Sequence, residues 1–307
     1  MSKIAQKSNM LNRIIYSLIM SYHFLSRIIP IKVWLFMGRC FGLLFYFLDS
    51  RHRSIALTNL RFALGNEKSE KEIRSLARKN FQEFSMIAHE WVRLKNINKK
   101  ELINLIYVEG KEHIIAAKKK NRSIILLSAH FGNWEYAHLF YSSTINRLNF
   151  IVRRIDNPLL EQERVAFNEH FGVKILYKEN GLRPAIKNLK KGEDLIIFAD
   201  RQANLREGIP CNFFGRKTST LTVVPALAKK YQIPIVPMFI TRCRDRVHHR
   251  IIFSPELDID YDSNKDNIHE TTQRQNHIIE KAIKTYPDHW LWFHRKWKCY
   301  HPHIYKS

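Results

Sequence analysis

From about residue 105 to residue 285 the chain alternates between short apolar runs and longer amphipathic stretches, and few folds accept that pattern. Ser123–Ala129 reads as a strand, followed by a helix from about Asn133. Leu148–Val152 reads as a second, followed by a helix over Pro158–Phe171. Val173–Tyr177 is a third, followed by a helix over Gly181–Lys191 that Gly192 stops. Asp194–Ala199 is a fourth strand, Leu221–Tyr231 a helix, and Ile233–Ile240 and Val247–Phe253 are further strands. A last helix over roughly Asn267–Thr285 ends before Pro287. Strands interleaved with helices predict an α/β fold, with a mostly parallel central sheet and helices on both faces.

Ahead of this block lies the most apolar part of the chain, residues 10–48. Ile14–Ser26 lacks Lys, Arg, Asp and Glu but is too short to span a bilayer as a helix. Ile28–Leu48 is long enough, yet Pro30, Lys32 and Arg39 interrupt it. An arginine near mid-bilayer costs roughly 2.5–3.5 kcal/mol. The expectation is one or two helices seated in, or dipping into, a membrane interface, with Trp34, Phe36, Phe41, Phe45, Tyr46 and Phe47 among head groups. Arg51-His52-Arg53 would face anionic lipid. The alternative is an ordinary buried hairpin. The chain divides accordingly into residues 1–53, apolar and membrane-associating, and residues 54–307, the α/β domain. Near the start of the latter, Ser69-Glu70-Lys71-Glu72 has the form of a capping box, and Ile73, Leu76, Ala77, Phe81, Phe84, Ile87, Ala88 and Trp91 recur at helical spacing behind it.

Charge narrows the partners. Fifty-one Lys and Arg face 28 Asp and Glu, a net charge of +23, which favours an anionic membrane surface, a phosphorylated lipid, an acidic carrier protein or nucleic acid. Cys40, Cys211, Cys243 and Cys299 lie far apart with no C-x-x-C, so neither a disulfide framework nor a zinc site is expected.

The chemistry centres on Ser123–Glu135, SIILLSAHFGNWE. His130 falls at the carboxyl end of the first predicted strand and Glu135 in the first turn of the next helix, with Gly132-Asn133 turning between them. A carboxylate on one imidazole nitrogen fixes the tautomer and leaves the other nitrogen as a general base. In open α/β sheets ligands sit beyond the carboxyl ends of the strands. Arg153-Arg154 follows the second predicted strand and Asp200-Arg201-Gln202 the fourth, so parallel neighbours would bring these groups and His130 onto one rim. The chain has no G-x-x-x-x-G-K-[ST], no strand-linked G-x-G-x-x-G and no G-x-S-x-G. A histidine–acid pair without a protein nucleophile suits direct transfer, in which a deprotonated hydroxyl attacks an activated acyl group.

These residues carry a resemblance to the lipid A biosynthesis lauroyl/myristoyl acyltransferases, relatives of the glycerolipid acyltransferases. AHFGNWE is similar to that family's His-x4-acid motif, and Arg153 with Asp156-Asn157-Pro158 to its R-x-x-[DN]-N-P segment. Gly181-Leu182-Arg183, Leu189–Glu193, Ala199–Gln202, Phe213-Phe214-Gly215 and the tail Trp290–Lys298 follow in the family's order. Arg201 departs from the family's D-Q or D-H, and Lys296 from the arginine of its W-x-W-x-H-R-R-[WF]-K ending.

The resemblance implies transfer of a fatty acyl chain from an acyl carrier protein thioester, with acyl-CoA as an alternative donor and no cofactor or metal, to a hydroxyl of a phosphorylated, already acylated glucosamine disaccharide. His130 would be the base, Glu135 its orienting group and Asp200 an organiser behind them. Arg153 would hold anionic groups of the acceptor or help stabilise the developing oxyanion, and Arg154 and Asn133 would contact substrate. Phe131, Trp134, Phe213 and Phe214 would line the acyl channel. The expected location is the cytoplasmic face of an inner membrane. The alternatives are another glycolipid or phospholipid acceptor, or a basic nucleic-acid- or membrane-binding protein without catalysis, although no nucleic-acid recognition motif is present.

Overall fold

The computed structural model describes residues 3–120, 123–259 and 268–306. Four helices lead: α1 (Lys3–Ile28), α2 (Ile31–Leu48), α3 (Ser50–Leu64) and α4 (Glu70–Leu94). Pro30, which has no N–H to donate, separates α1 from α2 and shortens the predicted second apolar helix by three residues at its start. Ser69 accepts from the Glu72 N–H while the Glu72 side chain accepts from the Ser69 N–H, so the predicted capping box starts α4.

Helix α2 packs on α4 through Trp34, Leu35, Gly38, Gly42 and Tyr46. At Gly42 a Cβ would run into the backbone of Phe81 and Gln82, so the close approach of the two helices requires glycine. The opposite face of α2 leaves Val33, Phe36, Leu44, Phe45, Phe47 and Leu48 exposed. By length and composition α2 can cross or enter a membrane. Its open apolar face sets it apart from a buried hairpin helix. Trp34 and Tyr46, predicted among the interfacial aromatics, are instead the buried side of the helix. The expected division between residues 53 and 54 falls inside α3.

The remaining elements are α5 (Lys99–Asn104), β1 (Ile106–Glu109), α6 (Lys111–Lys120), β2 (Ile125–Ser128), α7 (Trp134–Thr144), β3 (Leu148–Val152), α8 (Pro158–His170), β4 (Val173–Tyr177), α9 (Leu182–Leu189), β5 (Asp194–Phe198), β6 (Gly208–Phe213), β7 (Arg216–Leu221), α10 (Val223–Tyr231), β8 (Ile235–Arg242), β9 (His249–Phe253) and α11 (Ile268–Thr285). The predicted start of the last helix, Asn267, lies outside the described residues. Seven strands form one sheet in the order β1-β9-β8-β2-β5-β3-β4. The block from β8 to β4 is parallel, and β9 joins β8 antiparallel. Alternate residues of β2 and β5 enter two separate cores. Ile125, Leu127, Leu195 and Ile197 pack with residues of α3, α4, α10 and α11, and Leu126 and Ile196 with residues of α6 and α7. Both faces are thus covered, which is why these strands are apolar except for Ser128 and Asp194 at their ends. A separate antiparallel hairpin, β6–β7, turns at Phe214 and Gly215, both at positive φ (52° and 68°).

Candidate catalytic site

β5 lies beside β2, with Ser128 paired to Phe198. Two residues beyond that pair, the same register sets His130 opposite Asp200. The Asp200 carboxylate accepts twice from His130: from Nδ1–H at 2.9 Å and from the backbone N–H at 3.1 Å. The Trp290 indole N–H donates to it as well, at 2.9 Å. Asp200 is fully buried while the His130 side chain is 20% exposed. Among the described residues no hydrogen bond engages Nε2 of His130. Burial works against the Asp200 anion, but His130 beside it and the Trp290 donor outweigh burial and hold its carboxyl well below the usual carboxylate range.

The turn carrying His130 is clamped from three sides. Gly132 has φ 55°, and a Cβ there would collide with the Ile240 carbonyl oxygen. The carboxyl-terminal segment pairs with the turn as a short bridge: Gly132 N–H donates to His289 O at 2.8 Å and Leu291 N–H to His130 O at 3.0 Å. Asn133 caps α7 by accepting from the Tyr136 N–H, and its amide donates to Glu90 at 2.8 Å. Glu90 belongs to a buried cluster on α4, β8 and β9, in which Arg242 binds both Glu83 and Glu90 and His249 lies 3.0 Å from Glu90. Arg242 and His249 hold Glu90 at about 2 although burial pushes the other way.

The expected partner of His130 is therefore corrected. No hydrogen bond or ion pair joins Glu135 to His130 among the described residues. As the second residue of α7, Glu135 is carried away by the helix; it accepts from the Trp134 indole N–H at 3.2 Å and lies 3.5 Å from His138. Asn133, expected to face substrate, is 1% exposed and holds the turn together. Phe131 is likewise core, 1% exposed, between Phe239 and His289. Phe213 is buried on Trp290 and Trp297. Trp134 does border the site, its ring 5.4 Å from that of His130. Arg153 follows β3 on the same edge of the sheet as His130 and Asp200, as expected for parallel neighbours. Its guanidinium nevertheless pairs with Asp156 at 3.1 Å, and that of Arg154 lies 4.0 Å above the Tyr177 ring. Neither shares a hydrogen bond or a cation–ring contact with His130 among the described residues.

Two tail residues to which the sequence assigns no role stand at the site. Trp290 is the second donor to Asp200. The His294 ring stands edge-on to His130, centroids 5.5 Å apart, and accepts from Arg201 Nη2 at 3.4 Å. Burial, aided by Arg201, lowers His294 to about 4, so it is neutral at physiological pH. Their signal was the W-x-W-x-H spacing of the tail, legible only once that segment is known to fold back onto β2 and β5.

A mainly apolar cavity of about 190 Å³ runs between α1, α4 and α8, lined by Met20, Trp91, Val92, Leu160 and Phe167, with Lys95, Glu135, Glu163 and Arg164 also in its wall.

The chain thus joins a doubly wound sheet, a buried carboxylate behind a partly exposed histidine, an apolar cavity and an amino-terminal helix with an open apolar face. The chain belongs to the bacterial lipid A biosynthesis acyltransferase family, whose profile matches residues 1–299. It is 25% identical to the lipid A biosynthesis lauroyltransferase of Escherichia coli over 88% of this chain and 87% of that one. It is 22% identical to a lipid A biosynthesis acyltransferase of Haemophilus influenzae over 79% and 74%. It is also 23% identical to the phosphatidylinositol mannoside acyltransferase of Mycolicibacterium smegmatis over 72% of each chain.

Proposed function

We propose that this enzyme transfers a fatty acyl chain from the thioester of acyl carrier protein to a free hydroxyl of a lipid A precursor, at the cytoplasmic face of an inner membrane. His130 Nε2 takes the proton of the acceptor hydroxyl, whose oxygen attacks the thioester carbonyl carbon. The tetrahedral intermediate expels the carrier thiolate, which takes the proton back from the imidazolium. Asp200 keeps the imidazole in the tautomer with hydrogen on Nδ1 and compensates the charge that forms on it. No acyl-enzyme is needed. The acyl chain would occupy the cavity between α1, α4 and α8, whose wall includes Glu135, and the net charge of +23 suits an acidic carrier and an anionic leaflet. The observation that carries the mechanism is the 2.9 Å contact between Nδ1 and Asp200, which leaves Nε2 unengaged.

Purified protein incubated with acyl carrier protein thioester and a lipid A precursor should yield the precursor plus one acyl mass, and His130→Ala should abolish that product while the protein still folds. Transfer by His130→Ala at the wild-type rate would overturn the mechanism. A second acceptor has a specific warrant in the mycobacterial relative: a mannose-bearing glycolipid. Mass spectrometry of membrane lipids with and without the gene separates the two, since the lipid that loses one acyl mass is the acceptor.

A further inference from the structure

We propose that Arg201 reads a phosphate ester on the acyl acceptor, next to the hydroxyl that His130 deprotonates; the inference rests on the acyl-transfer reading above. Arg201 follows Asp200 directly. The residues on either side of it are anchored, Asp200 to His130 and Trp290, and Gln202 by accepting from the Cys299 N–H at 2.8 Å. The backbone of Arg201 is thereby fixed, while its side chain is exposed on the rim. Its guanidinium reaches back to Nδ1 of His294, whose ring touches that of His130 edge-on.

His294 is neutral there, so the contact steers the guanidinium without cancelling its charge. Among the described residues no carboxylate forms an ion pair with Arg201. Arg153 has Asp156, and the Asp200 carboxylate is turned inward to His130 and Trp290. Among the described residues Arg201 is thus a rim cation with no carboxylate partner, held beside His130 by the neutral His294 alone. A planar guanidinium with free N–H groups matches a phosphate oxygen pair better than any other side chain. Charge-assisted hydrogen bonds of this kind contribute roughly 10- to 100-fold in affinity.

Phosphate could come from the acceptor or from the prosthetic arm of the carrier protein, and we assign it to the acceptor. The test uses the full chain in detergent with a phosphorylated glucosamine lipid, its dephosphorylated counterpart, and wild type, Arg201→Gln and Arg201→Lys. Arg201→Gln should raise KM for the phosphorylated acceptor 10- to 100-fold and reduce the preference for phosphorylated over dephosphorylated acceptor by the same factor. Arg201→Lys should retain part of that preference. Tryptophan fluorescence titrated with the phosphorylated lipid alone, without donor, should show the same weakening, and inorganic phosphate should compete for the site in wild type only. An unchanged preference, or a loss confined to KM for the acyl carrier protein, would overturn the assignment. If wild type transfers to neither acceptor, the acyl-transfer reading falls, and the donor-free titration still decides whether Arg201 binds the phosphate.

Discussion

Nδ1 of His130 and Oδ1 of Asp200 lie 2.9 Å apart, although seventy positions separate the two residues in the chain. The pairing is a matter of strand register: two parallel strands of like length end together, and the second residue past each end meets its counterpart. A histidine held in this way has one committed nitrogen and one available one, which is the minimum a base in direct acyl transfer requires.

Asp200→Asn keeps the shape of the side chain but presents either an amide N–H or a neutral oxygen to Nδ1, and it cannot compensate an imidazolium. Turnover should fall by roughly 10²–10⁴-fold with little change in fold. Single-turnover transfer measured alongside far-UV circular dichroism checks this. A loss under tenfold would mean that Asp200 does not orient the base.

Arg242→Met removes the guanidinium that binds both Glu83 and Glu90 and leaves the two buried carboxylates without it. Stability should drop by about 3–5 kcal/mol. Because Asn133 hangs from Glu90, the His130 turn should loosen too. Thermal unfolding of Arg242→Met against the triple variant with Glu83→Gln and Glu90→Gln measures it, with the triple variant expected to recover part of the loss.

Lys296 is fully buried over the Phe213 ring at 4.6 Å, and among the described residues its ammonium has no hydrogen-bond partner. Burial lowers it from 10.5 to about 8, which corresponds to roughly 3 kcal/mol of cost to the folded state at neutral pH. The unfolded chain keeps this proton up to its ordinary value, so between about pH 8 and 10.5 the unfolded state binds more protons and wild-type stability rises with pH. Lys296→Met should therefore be more stable than wild type at pH 7, with the advantage shrinking through that window. Denaturant midpoints at pH 7 and pH 10 test it, and equal gaps at both would refute it.

Phe36 and Phe45 are exposed on α2 and carry no part of the core, so Phe36→Glu with Phe45→Glu should leave the fold intact. Each phenyl ring is worth roughly 2 kcal/mol on leaving water, so the double change should weaken binding to anionic vesicles by about two orders of magnitude or more. Vesicle flotation measures this, and undiminished flotation would show that α2 does not seat the protein.

How legible these features were depended on how local their causes are. Leu148–Val152 and Val173–Tyr177 could be read to the residue because each is a short run rich in β-branched and large apolar residues bounded by turn residues, even though β4 lies at the sheet's edge with Lys174 exposed. β1 escaped because three of its four residues are exposed. The β6–β7 hairpin escaped because its sequence is polar and its turn places Phe214, not only a glycine, at positive φ. At the site, the rim of His130, Arg153 and Asp200 was visible from strand endings alone. The partner of His130 was misassigned because Glu135 is near in sequence, whereas register, which the sequence does not display, makes Asp200 near in space. Asn133 and Phe131 looked like site residues for the same reason: they adjoin His130 in the chain but point into the protein.

Asn80 on α4 grips the carbonyls of Asp288 and Trp290, and Asn59 on α3 grips that of Trp292. Those carbonyls belong to the strip of chain that supplies the Trp290 donor to Asp200 and brackets His130. The helix that backs α2 is thus tied by side-chain amides to the segment that brackets His130. With α2 embedded in a leaflet, His130 would ride at one set height above the lipid, like a tool on a fixed post. Which acceptor hydroxyl is esterified would then be decided by how deep each hydroxyl lies in the bilayer as much as by contacts around it.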